Sequence, residues 1–151
     1  MEKLMIDSDV LINWLAKERE RNSNRKLWVA PTAILELGEM KQIENHLSLL
    51  SIFEIRFVLR RKKGKDFGEI EQDLNQLGHF LHIDVPTESV LQQANQLQGE
   101  WPIDPFDSIL LAQTIFLDAI LISRDNRFLK LAAQYVSSYS PEGYVEDCLR
   151  K

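Results

Sequence analysis

The stretch KLMIDSDVLI, residues 3–12, sets three apolar residues, Leu4, Met5 and Ile6, ahead of Asp7 and Asp9, and returns to apolar character at Val10. The triplet reads as a short buried strand over residues 4–6, and the renewed apolar pattern as a helix over 10–19. Two carboxylates one residue apart repel each other unless something positive lies between them. Asp7 sits where the strand leaves the core. Its plain alternative is a helix N-cap, although Ser8 and Asp9 stand better placed for that job; Asp9 itself divides between cap and functional residue.

The same alternation continues along the chain. Residues 26–30 are a short strand or an extended approach, and Pro31, at a first helical position, opens a helix to about residue 43. A second helix over about 47–61 leads into a loop around Gly64. Residues 67–80 carry Ile70, Leu74 and Leu77 at helical spacing, 81–85 is strand-like, and 87–98 is helical with Thr87 as N-cap. Asp104-Pro-Phe-Asp107 then starts a strongly apolar helix to about residue 117. A strand over 119–123, a helix over 126–135, a strand near 136–139 and a short terminal helix complete the pattern. Strands alternating with helices predict an α/β sandwich with a mainly parallel sheet. Ligands of such sheets gather at the carboxyl ends of the strands. Asp7 and Asp9 lie at one such end, and Asp125 at another.

At 151 residues, with 44% apolar and 27% charged residues, the chain is expected to form one domain spanning 1–151. Its single cysteine, Cys148, rules out a disulfide scaffold and suits a reducing cytoplasm. The N-terminus lacks the features of a signal peptide. The longest apolar stretch, 108–123, is broken by Gln113, Thr114 and Asp118, so no membrane span is expected. The net charge of −5 argues against a protein that coats nucleic acid by bulk electrostatics. Against that background the run RFVLRRKKGK, residues 56–65, has six basic residues (Arg56, Arg60, Arg61, Lys62, Lys63 and Lys65) and no acid. It is either a solvated helix end or a local phosphate-binding or partner-binding patch.

Three further acids stand out. On a helix running from Thr32 past residue 43, Ala33, Glu36, Met40, Ile43 and Leu47 share one face, which sets the Glu36 carboxylate in an apolar stripe. Such a carboxylate is costly unless paired, protonated or bound to a metal. Asp104 is well explained as an N-cap with Pro105 at the first helical position. Asp107, heading the most apolar helix, is less well explained that way. Asp125, in Ile122-Ser-Arg-Asp-Asn126, divides between cap and site residue. Carboxylates gathered without matching histidines or cysteines describe a site for a hard cation, Mg²⁺ or Mn²⁺. His46, His79 and His82 have no ligand spacing near the acids. No Ser-His-Asp or Cys-His set and no Gly-rich phosphate loop competes.

The blocks MIDSDVLI (5–12), AILEL (33–37), DPFDSILLAQ (104–113) and LISRD (121–125) together resemble a PIN domain, in particular the VapC-like toxin ribonucleases of type II toxin–antitoxin pairs. The resemblance spans nearly the whole chain. It implies a three-layer α/β/α sandwich and an Mg²⁺- or Mn²⁺-dependent endoribonuclease that leaves a 5′-phosphate and a 3′-hydroxyl. Carried over by position, it makes Asp7, Glu36, Asp107 and Asp125 the catalytic and metal-binding acids, with Asp9, Asp104 and Ser123 as accessories. It also implies a homodimer and a small antitoxin whose segment plugs the acidic cleft. Ser8 and Ser123 stand where the family often has threonine, and both keep a hydroxyl. Two rivals remain open: a phosphatase of the haloacid dehalogenase type, which shares an apolar strand followed by Asp-x-Asp, and a PIN-fold binding module without activity. Against the phosphatase, Val10-Leu11 stands where Gly-Thr usually follows.

Overall fold

The computed structural model describes residues 1–149. Five strands alternate with eight helices. In chain order they are β1 (Glu2–Ile6), α1 (Ser8–Leu15), α2 (Val29–Glu39), β2 (Ile43–Ser48), α3 (Leu49–Arg61), α4 (Phe67–Leu77), β3 (His82–Asp84), α5 (Glu88–Glu100), α6 (Pro105–Leu117), β4 (Ile120–Ile122), α7 (Asn126–Ala132), β5 (Ser138–Tyr139) and α8 (Pro141–Leu149). All strand pairs are parallel, in the order β3-β2-β1-β4-β5.

Side chains alternate between the faces of a strand, and β1 shows what that does here. Leu4 and Ile6 point into one core with Val10 and Leu11 of α1, Ile34 of α2, Ile55 and Leu59 of α3 and Ile70 of α4. Met5 points the other way, onto Val90 and Ala94 of α5, Leu110 and Leu111 of α6 and Phe128 of α7. Both faces of the sheet are therefore covered, which makes the three-layer α/β/α sandwich expected from the sequence.

The strand order positions the site. From β1 the chain moves outward to β2 and β3, then returns past β1 to build β4 and β5 on its other side. The carboxyl end of β1, where Asp7 sits, is thus the point at which the connections diverge. Such a switch point leaves a crevice between the loops on either side.

One stretch departs from the sequence expectation. The helix that begins near Pro31 stops at Glu39, and residues 43–48 form β2 beside β1 instead of continuing as helix. Strand 2 hides because its interior is polar: Asn45, His46 and Ser48 are all buried. Asn45 Nδ2 donates to the Ile34 carbonyl at 3.1 Å. The His46 ring nitrogens lie 2.6 Å from Asp84 Oδ2 and 2.7 Å from Glu44 Oε1. With those partners the strand tolerates groups that sequence periodicity counts as exposed. Ile43 and Leu47, four apart, mimic one helical face while lying on one face of a strand. The other boundaries differ by a few residues. The first helix ends at Leu15, and residues 26–30 contribute only an isolated bridge, Arg19 to Lys26, before Val29 begins α2.

Candidate active site

Asp7 is held from both sides. It caps α1, with its Oδ1 accepting from the Ser8 backbone N–H at 2.8 Å, so it is Asp7 rather than Ser8 or Asp9 that performs the capping. Its Oδ2 accepts from the Ser123 hydroxyl, also at 2.8 Å, at the end of β4. Ser123 is fully buried and in turn accepts from the Asp125 N–H at 3.1 Å. Asp125 caps α7, accepting from the N–H groups of Arg127 and Phe128 at 3.1 and 3.2 Å. A chain of hydrogen bonds therefore links Asp7 to the start of α7.

Asp9 plays a different part. Its Oδ2 accepts from the Arg124 N–H at 3.1 Å, while its buried Oδ1 has no partner. The Arg124 side chain fans out to the Leu27 carbonyl at 2.7 Å, to the Glu142 carboxylate at 2.8 and 2.9 Å, and to Asn13. This arginine ties the turn after β4 to α1, to the approach to α2 and to α8.

On the opposite wall, Asp104 caps α6 as expected, accepting from Phe106 and Asp107 N–H at 2.8 and 3.3 Å, with Pro105 in the first turn. The cap sets the first turn of α6, and that turn points Asp107 at the crevice. A cavity of about 600 Å³ lies between, lined by Asp7, Asp9, Asp104, Asp107, Asp125 and one acid the sequence reading passed over, Glu54 of α3. A smaller recess beside it brings Asp7, Glu54 and Asp107 together again.

Glu36 is not at this site. It is exposed on α2 and lines neither cavity. The apolar stripe that singled it out does not exist, because Ile43 and Leu47 belong to β2. Glu54 stands in its stead, in the second turn of the helix that follows β2. Its signal was there to be read: a polar strand, Ser48 as N-cap, then Glu54 three residues past the buried Ser51, at the edge of the core face of α3. Seeing it required recognising that a strand ends at residue 48.

The acids sense one another. Burial raises Asp7 to about 6, partly offset by the Ser123 hydrogen bond and reinforced by Glu54 and Asp125. Burial and then the Asp7 charge raise Asp9 to about 8. Asp107 is pushed up to about 7 by burial first, then by Asp7, Asp104, Asp125 and Glu54. Carboxyl groups forced to hold protons near neutrality are under pressure to take a cation instead. The donor set is oxygen only, which suits Mg²⁺ or Mn²⁺. Among the described residues no three ligand side chains form a preassembled cage. An ion held by few protein ligands would keep several waters, as Mg²⁺ usually does.

Half of the basic run is absorbed into the fold. Arg56 pairs with Glu71 at 3.0 and 3.2 Å, Lys63 with Glu18 at 2.5 Å, and Lys65 with Asp73 at 2.9 Å. These three residues join α3 and the loop after it to α1 and α4, and so are structural rather than free to meet a ligand. Among the described residues, Arg60, Arg61 and Lys62 form no ion pair. No described helix is long and apolar enough to cross a membrane.

The family model for the PIN domain matches residues 4–134. No curated protein matches the chain. Among solved structures, the chain is similar to a toxin–antitoxin complex from Klebsiella pneumoniae, at 16% identity and a TM-score of 0.67, covering 91% of this chain and 97% of that one. It is also similar to VapBC2 from Rickettsia felis bound to a DNA fragment from their promoter, at 14% identity and a TM-score of 0.68, covering 91% and 98%. FitAcB from Neisseria gonorrhoeae aligns at 15% identity with a TM-score of 0.58, covering 92% and 98%.

Proposed function

Because this chain belongs to the PIN-domain family, we propose that it is a divalent-metal-dependent endoribonuclease, and that it acts as the toxin of a type II toxin–antitoxin pair. The observation that carries the first part is the crevice at the carboxyl end of β1, where Asp7, Glu54, Asp107 and Asp125 line one cavity in which Asp7 and Asp107 are held well above the usual carboxylate range, by burial first and then by the neighbouring acids. Placement of the first Asp-x-Asp within a PIN fold disfavours the phosphatase reading. The second part rests on the toxin–antitoxin complexes among its structural neighbours. By the same likeness the protein would work in the cytoplasm as a single domain over residues 1–151, as a homodimer held inactive by a small antitoxin.

Asp7, Glu54, Asp107 and Asp125 are the residues that would hold Mg²⁺ or Mn²⁺. When bound, the ion supplies positive charge that activates water and stabilises the leaving oxygen of a phosphodiester. The chain's own part is positional. Ser8 and Ser123 fix both oxygens of Asp7, so its carboxylate enters the reaction already oriented. Asp104 sets the first turn of α6 and with it the aim of Asp107. Asp9 and Arg124 hold the turn that carries Ser123 and Asp125 against α1.

The test is cleavage of RNA by purified protein with Mn²⁺. Asp7→Asn and Asp107→Asn should each abolish cleavage while the fold, followed by circular dichroism, is retained. Cleavage that survives either change, or that continues undiminished in chelator, overturns the assignment.

A further inference from the structure

Three phenylalanines stand around the mouth of the acidic cavity: Phe53 and Phe57 of α3 and Phe106 of α6. They are 60%, 58% and 61% exposed, on a protein whose other faces of α3 and α6 are well packed. The core face of α3 is made by Ser51, Ile55 and Leu59, so Phe53 and Phe57, four residues apart, form a separate outward stripe beside Glu54. That stripe runs on to Arg60 and Arg61, one turn further, which have no ion pair among the described residues. Seven residues of helix separate Glu54 from Arg61, about 10 Å at 1.5 Å per residue.

We propose that Phe53, Phe57 and Phe106 are stacking platforms for unpaired nucleobases on either side of the scissile phosphate, with Arg60 and Arg61 receiving the phosphate beyond. The proposal rests on the nuclease reading above and adds the residues that select the substrate's form.

The composition of the cavity chooses the occupant. Six of its lining residues are acids and none is basic. An apolar peptide laid on the rings would strip water from those acids and return nothing to them. A nucleotide offers a flat apolar face to each ring, keeps its polar edges in water, and brings a phosphate that a cation held by the acids attracts. Phenylalanine has no hydrogen-bonding group, so stacking on it is indifferent to base identity. It does discriminate in another way. In a duplex both faces of each base are already stacked, so these rings reward single strands and loops.

The experiment measures affinity, not turnover. A short fluorescein-labelled single-stranded oligoribonucleotide, its abasic analogue with the same phosphates, and the corresponding duplex are titrated with full-length protein in Ca²⁺, and binding is read by anisotropy. The wild type should bind the single strand at least about tenfold tighter than either other ligand, from the worth of one stacked base. Phe53→Ala with Phe57→Ala should close the gap between single strand and abasic strand, and Phe57→Leu should weaken single-strand binding much as Phe57→Ala does. Both rings are exposed, and unchanged thermal melting verifies the fold. Equal affinity of wild type for the single and abasic strands, or full affinity in Phe57→Leu, overturns stacking; the latter would mean an apolar contact of the kind a protein partner makes. In either case RNA cleavage with Mn²⁺ by the wild type, run in parallel, leaves the nuclease reading standing. Loss of all RNA binding and cleavage in the wild type would overturn both.

Discussion

The Ser123 hydroxyl donates to Asp7 Oδ2 at 2.8 Å, joining residues 116 positions apart across the ends of two adjacent parallel strands. Asp7 alone would be a helix cap with one free oxygen. With Ser123 it becomes a carboxylate of defined orientation, linked through the Asp125 N–H to the next helix.

Ser123→Ala should therefore weaken the site without dismantling it. The fully buried hydroxyl has both its donor and acceptor roles filled, so its loss leaves Asp7 Oδ2 and the Asp125 N–H unpaired. The expected stability cost is about 1–3 kcal/mol. Orientation of a ligand through a neighbour is commonly worth about 10–100-fold in metal affinity or activity. Calorimetric titration with Mn²⁺ and chemical denaturation read the two effects separately.

Glu54 and Glu36 should separate cleanly. Glu54→Gln should reduce Mn²⁺-dependent RNA cleavage by more than the about 10–100-fold that loss of a ligand's outer partner commonly costs, since Glu54 would hold the ion itself. Glu36→Gln, on an exposed face of α2 away from the cavity, should leave cleavage near the wild-type rate. The reverse pattern would restore the sequence-based alignment and count against the crevice.

The metal-free protein should lose stability as pH rises. Asp7, Asp107 and Asp9 are raised from an ordinary 3.8 to about 6, 7 and 8, chiefly by burial. Over that window the folded chain holds protons the unfolded chain has released, so stability is greatest near pH 4 and falls toward pH 8. Mn²⁺ should reverse the loss at high pH, and its own affinity should weaken as the acids protonate. Melting temperatures with chelator and with Mn²⁺ at several pH values decide this; a chelated protein that melts higher at pH 8 than at pH 5 would refute it.

Gly38→Ala should be destabilising for a purely steric reason. A Cβ there would stand 2.4 Å from Nδ2 of the buried Asn45, which is committed to the Ile34 carbonyl. Overpacking of this kind costs about 1–3 kcal/mol. In an Asn45→Ala background the added penalty should shrink, because the clashing atom is gone. Denaturant titration of the four proteins of the cycle measures the coupling.

Local chemistry made much of this protein legible. Asp-Pro-x-Asp at 104–107 starts a helix whatever its neighbours, since Asp104 needs only the N–H groups of its own first turn. Thr87 and Asp125 cap in the same way. Residues 43–48 were not legible, because Asn45 and His46 are buried against Ile34 and Asp84, partners 11 and 38 residues away that local periodicity does not see.

By itself the sequence determined the α/β alternation, the strand that delivers Asp7, and an oxygen-rich acid set suited to a hard cation. These follow from contacts within a turn or two of chain. Which acids meet, by contrast, was decided by tertiary structure. Placing β1 between β2 and β4 brings the start of α3 and the start of α6 to the same crevice, and so admits Glu54 and leaves Glu36 outside. The same packing converts Arg56, Lys63 and Lys65 into internal ion pairs and turns Phe53 and Phe57 outward. A charge or a ring acquires its role from whatever folds against it, and those neighbours lie between 8 and 45 residues away for the three ion pairs.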